Sequence, residues 1–313
     1  MSDVIQALRA LGGELWLELG AHRELYDLAI ARLDALDAGR RIWGRDGSLW
    51  SKDPVVAEEI KERLGWLDLP SEMPVEVMRL RALAIEVQAA GFERAVLLGM
   101  GGSSLAPEVM QNILGRAPGC CDLVVLDTTD PAQIRRVAQE GALERTLFVA
   151  ASKSGATLET LSLLAYFREQ LQAHVGSAWP QHFVAITDPD TRLFALAQEQ
   201  GFRAVYDNPP NVGGRYSALA LYGLVPAALL GVDLDLLLAR AKEMAWRCRG
   251  TAPTAQSPGM MLGAMMAGLL ASPETMADAL RKVRRPASGL LDEAIDWALP
   301  LTSRAVPVGL LGL

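Results

Sequence analysis

The chain is poor in cysteine and carries no surplus of positive charge. Its three cysteines among 313 residues, Cys120, Cys121 and Cys248, are odd in number and two are adjacent. Neither a disulfide framework nor a metal-ligand spacing can be built from them. The net charge is −7, and the one basic run, Arg281 to Arg285, reads as a solvated helix face. Binding to a phosphate backbone needs clustered Lys and Arg, so no nucleic-acid partner is expected. Long hydrophobic runs are also missing. The greasiest windows, "ALALYGLVPAALLGV" and "MMLGAMMAGLLA", fall short of the roughly 20 apolar residues that a spanning helix needs, so no membrane partner is expected either. "MSDVIQALRA" has an early acid and no apolar stretch of signal length. Together these absences point to a reduced, cytoplasmic location.

What is present is a change of grammar along the chain. Half of the residues are hydrophobic, enough for a sizeable core. Residues 1–90 offer helices and no strand. "AHRELYDLAIARLDALDAGRRIW" puts Leu25, Leu28, Leu33 and Leu36 at helical spacing. Asp53 and Pro54 form an N-cap and first helical position, and "SEMPVEVMRLRALAIEVQAAGF" predicts one longer helix ending near Gly91. From Arg94, short apolar runs at 95–99, 123–127, 146–152, 183–187 and 203–207 alternate with helical stretches. Strands apolar throughout and separated by helices imply a parallel sheet covered on both faces. The expected fold is α/β, a doubly wound five-stranded parallel sheet over 91–232. A helical region, 1–90, precedes it. Helical segments follow in 233–313, at 233–248, 259–270, 272–283 and 288–299.

In open α/β sheets, ligands bind outside the carboxyl ends of the strands. The first strand runs into "LLGMGGSSLAPEV", where Gly99, Gly101 and Gly102 precede Ser103 and Ser104 at a helix start. Glycines let backbone N–H groups approach an anion, and a helix N-terminus adds a favourable dipole. The spacing is neither Walker A nor G-x-G-x-x-G. The third strand ends in "SKSGATLET". There Ser152, Lys153, Ser154 and Thr157 gather three hydroxyls and a cation at a strand-to-helix corner, with Glu159 in the next turn. Either loop alone reads as ordinary capping and tight turning. Both at one sheet edge read as a phosphate cradle. In "NVGGRYSALALYG", Gly213 and Gly214 precede Arg215, and Ser217 is placed to cap the apolar helix behind it. An arginine held there is positioned to meet an oxyanion.

"GMGGSS", "SKSGATLET" and "VGGRYS", in that order, resemble three motifs of the glucose-6-phosphate isomerase family, whose sugar isomerase (SIS) domains are flavodoxin-like and bind phosphosugars. The wording of 42–110 is similar to the isomerase half of fused transaldolase/glucose-6-phosphate isomerase proteins, and the likeness covers roughly 40–270. The resemblance implies that Gly102, Ser103, Ser152, Lys153, Ser154 and Thr157 bind the phosphate end of glucose 6-phosphate or fructose 6-phosphate. It sets Gly214 and Arg215 beside the reacting carbons. Arg215 then stabilises a cis-enediolate while a glutamate moves a proton between C1 and C2. No metal or organic cofactor is implied.

Some of the family's pattern is missing. Ala218 and Leu221 depart from the commoner residues of the third motif. The base glutamate's Glu-Ser-Thr-Gly-like motif has no counterpart, and the ring-opening histidine and C-terminal lysine belong to a later SIS domain. His22, His174 and His182 match none of these contexts, and Glu293 is the tail's nearest substitute acid. The expectation is therefore an isomerase by family, partial and of impaired activity. The alternative is an SIS module that holds a phosphosugar without converting it. Apolar helices at 217–232 and 259–270, without a second domain to cover them, predict self-association.

Overall fold

A computed structural model describes residues 23–270. The chain divides into two compact units, Glu62–Glu243 and the residues flanking it in sequence. Three helices precede the first of these units: α1 (Arg23–Ala35), α2 (Ala38–Trp43) and α3 (Pro54–Lys61). Within it come α4 (Leu69–Glu72), α5 (Val77–Ala89), β1 (Arg94–Gly99), α6 (Leu105–Leu114), β2 (Asp122–Leu126) and α7 (Pro131–Gln139). Then follow β3 (Thr146–Ser152), α8 (Leu158–Val175), β4 (Phe183–Thr187), α9 (Arg192–Gln200), β5 (Ala204–Asp207) and α10 (Leu221–Leu229). Two further helices are α11 (Leu234–Arg247), which runs past the end of the unit, and α12 (Pro258–Leu270).

The five strands lie in the order β2-β1-β3-β4-β5 and every neighbouring pair is parallel. This is the doubly wound arrangement expected from the sequence, and its chain connections reverse direction between β1 and β3. The strands are apolar between their ends because both faces are covered. Alternate residues point to opposite sides. Leu97, Val149 and Ile186 pack with Leu80, Leu83, Leu224 and Val225 on one face. Val96, Leu98, Phe148 and Ala185 pack with Val137, Leu163, Phe167 and Leu193 on the other.

Several local expectations need correction. The helix expected over 71–91 is broken into α4, a 3₁₀ turn at Met73–Glu76 and α5. Pro74 lacks the N–H that a continuous helix requires at that point. Ser217 does not cap α10. Its hydroxyl lies in a 3₁₀ turn at Gly214–Leu219, and the Leu221 N–H instead donates to Asn208 Oδ1 at 3.3 Å. Every residue of α10 is buried within its own unit, so this helix cannot supply the exposed apolar face on which self-association was expected.

In the other unit, Tyr26 of α1 and Ala264 of α12 are buried together with Ala29, Ile30, Leu33 and Met265 against them. The inward stripe of α1 is thus Tyr26–Ile30–Leu33, and Leu28 points outward, 67% exposed. Asp53 caps α3 as expected, its Oδ1 accepting the Val55 N–H at 2.9 Å. The expected helices after residue 270, with Glu293 and the 281–285 basic run, lie outside the described residues, as does His22.

Candidate functional site

Three loops meet at the carboxyl edge of the sheet, beside the reversal between β1 and β3. Gly99 and Ala151 are register partners, so the turns that follow them start side by side. After β1 the chain enters a 3₁₀ turn at Gly101–Ser103. A Cβ added to Gly102 would stand 2.5 Å from the Gly214 carbonyl carbon, so the first and third loops touch backbone to backbone. Ser217 Oγ joins them, 3.1 Å from the Gly102 oxygen and 2.5 Å from that of Gly214, and can donate its one proton to either. Ser103 is buried, and Ser104, fully buried, donates to the Gly101 carbonyl at 3.0 Å.

The second loop is organised by a hydroxyl pair. Ser152 Oγ and Thr157 Oγ1 are 2.8 Å apart. Thr157 occupies the N-cap position of the 18-residue α8, yet its side chain makes no capping bond. The backbone N–H groups of the first turn have no intrahelical acceptor, and here no Thr157 cap either. That end of α8 therefore offers donors and a positive dipole beside two hydroxyls. Gly155 has φ +62°, and a Cβ there would lie 2.4 Å from Thr191 Cβ, which fixes the loop against the segment after β4. Ser154 and Glu159 are exposed, and Ser154 Oγ accepts the Ala156 N–H at 3.3 Å.

Lys153 reaches along the edge. Its Nζ is 2.5 Å from Asp188 Oδ2 and 2.8 Å from the Pro210 carbonyl. Burial pushes the Asp188 carboxyl above its usual range, and the bond and charge of Lys153 partly reverse this, helped by Asn208. Arg215 is exposed in the third loop, and its neighbour Tyr216 stacks on Trp66 with ring centroids 5.3 Å apart. Leu64 bridges Val212, and the Gly65 N–H donates to the Asn211 carbonyl at 3.0 Å, which brings Trp66 to that loop.

The structure thus gathers Gly102, Ser103, Ser152, Thr157 and Gly214, and turns Lys153 toward β4 and β5. Asp188, Asn208 and Trp66 join the edge without having been singled out from the sequence. Asp188 had a signal, since it directly follows an apolar strand at its carboxyl end. Trp66 had none, because only the antiparallel bridge at Leu64 carries it there. His174 is exposed and bonded to the Gln170 carbonyl, and His182 is buried against Thr146, so neither is part of this edge. Among the described residues no group of His, Cys, Asp and Glu could hold a metal ion. No helix among them is long and apolar enough to cross a membrane.

The family model described as phosphoglucose isomerase matches residues 87–270. A glucose-6-phosphate isomerase of Thermus thermophilus is 40% identical over 183 residues, which are 58% of this chain and 42% of that protein. One from Carboxydothermus hydrogenoformans is 34% identical over 264 residues, covering 80% of this chain and 55% of the relative. Among solved structures, a hypothetical protein of Thermus thermophilus superposes with a TM-score of 0.62 at 33% identity, over 77% of this chain and 54% of that one. The chain spans about half the length of the curated relatives it matches.

Proposed function

The chain belongs to the phosphoglucose isomerase family, and from that premise we propose that it is the phosphosugar-holding part of a glucose-6-phosphate isomerase. Its ligands are glucose 6-phosphate and fructose 6-phosphate. Ser152 and Thr157, now bonded to each other, turn toward the phosphate, together with Ser103, Ser154, Lys153 and the backbone at Gly102. Gly214 and Arg215 lie beside C1 and C2, where Arg215 stabilises the charge of a cis-enediolate. The observation that carries this reading is the Ser152–Thr157 pair at a helix start that Thr157 leaves uncapped, next to the Gly102–Gly214 contact.

Calorimetry with fructose 6-phosphate tests the cradle. Ser103→Ala and Thr157→Ala are each expected to weaken binding by about 1.5–3 kcal/mol, the usual worth of a hydrogen bond to a charged group. Unchanged affinity in both variants would remove the cradle.

Turnover separates the isomerase from the alternative, an SIS module that binds without converting. A positioned base contributes roughly 10²–10⁴-fold, and the sequence of this chain lacks the family's base motif. Residues 1–313 are expected to interconvert the two sugars slower than the full-length relatives by about that factor. A coupled assay showing the relatives' turnover, abolished by Glu293→Ala, would identify Glu293 as a replacement base. We further propose a cytoplasmic location, supported by three free thiols, and self-association without nucleic-acid or membrane partners.

A further inference from the structure

Lys153 is the cation of the second loop, yet both acceptors that direct its ammonium group come from elsewhere. Asp188 follows β4, Pro210 follows β5, and their oxygens lie 2.5 and 2.8 Å from Nζ. The loop of Lys153 and the segment after β4 are also tied through the backbone, the Asp188 N–H donating to the Lys153 carbonyl at 3.4 Å. A carboxylate beside an anion site repels the ligand, so its presence there calls for a compensating role. The Asp188 side chain is only 14% exposed, against 36% for Lys153. Its Oδ1 is buried without a hydrogen bond of regular geometry, and the wholly buried Asn208 stands close enough to favour its charged form. The Tyr222 hydroxyl, also buried without a hydrogen-bond partner, feels this charge too. The carboxylate is walled in on the protein side, and its other oxygen faces Lys153.

Resting on the phosphosugar reading, we propose that Asp188 is a positioning residue: with the Pro210 carbonyl it fixes the Lys153 ammonium at the sheet edge, ready to meet the ligand's phosphate. A free lysine side chain must be ordered when it binds, and ordering it beforehand removes that cost from the binding step. Binding affinity separates this role from sequestration. If Asp188 instead locked Lys153 away, releasing the lysine would strengthen binding.

The test compares two uncharged variants by calorimetry with fructose 6-phosphate. Asp188→Asn keeps an oxygen acceptor for Lys153, and Asp188→Ala does not. Both remove the repulsive charge, so their difference isolates the anchor. Asp188→Ala is expected to bind about two- to tenfold more weakly than Asp188→Asn, the cost of ordering one long side chain. In a Lys153→Met background the two variants are expected to bind alike. Equal affinities of Asp188→Ala and Asp188→Asn with Lys153 present, tighter binding by Asp188→Ala, or a gap that persists without Lys153 would each overturn the proposal. If the unaltered chain does not bind fructose 6-phosphate, the phosphosugar reading fails and this inference with it. Binding lost in Thr157→Ala but indifferent to position 188 refutes the anchor alone.

Discussion

Gly102 and Gly214 face each other across the first and third loops, but they do not tolerate change equally. A Cβ on Gly102 would stand 2.5 Å from the Gly214 backbone, a distance real Cβ atoms do not reach. A Cβ on Gly214 would stand 3.8 Å from Gly102 Cα, an ordinary contact. Gly102→Ala is therefore expected to force the loops apart, costing about 1–3 kcal/mol as other overpacked substitutions do. It should also weaken phosphosugar binding. Gly214→Ala should leave stability nearly unchanged. Urea titration of the two variants checks this, and equal stabilities would mean that the loops part at no cost. The glycines themselves were legible in the sequence, because close backbone approach to an anion needs them. Their contact with each other was not, since it joins positions far apart in the chain. Asp188 stayed hidden for a related reason. One acid after a strand is common, and it acquires meaning only from the lysine that faces it.

At the scale of elements, the entry into β4 carries a pH-sensitive joint. His182 is buried, and its Nδ1 lies 3.0 Å from the Thr146 carbonyl at the start of β3. A carbonyl only accepts, so Nδ1 carries the proton. The Phe92 ring meets the imidazole edge-on, with centroids 5.0 Å apart. Burial holds the His182 pKa below its ordinary 6.5, outweighing the bond to Thr146, and the nearby Arg203 lowers it further. The unfolded chain thus binds more protons than the folded one just below pH 6.5. The associated stability is complete above that value and is lost as pH falls through the lowered pKa. His182→Gln should flatten the pH dependence of unfolding below about pH 6.5, by at most about 1.4 kcal/mol per pH unit. An identical slope in the two proteins would show that His182 takes no part. The strands were readable as apolar runs, because a parallel sheet covered on both faces confines charged residues, Ser and Thr to the strand ends. The breaks in helices were harder to see. Pro74 ends a helical pattern that the surrounding residues would have continued.

For the whole molecule, the expected self-association loses one of its two apolar helices and keeps the other, where Leu262 and Met266 of α12 are about half exposed. The helix at 221–229 is buried in its own sheet unit. Leu105, Val109, Ile113 and Leu114 instead lie along α6, each more than half exposed. Contiguous apolar patches on soluble monomers are usually functional. Light scattering at several concentrations is expected to show a mass above 33.7 kDa that falls toward it on dilution, and Val109→Asp with Ile113→Asp should favour the monomer. A constant monomer mass would dismiss association. The sequence by itself determined the sheet, its helices and the family, because apolar periodicity and three loop motifs are local properties of a chain. Only the tertiary structure decided which loops touch, which acid faces Lys153 and which apolar helix is covered. Those depend on strand order and register, and the reversal between β1 and β3 brings together residues that no local pattern connects.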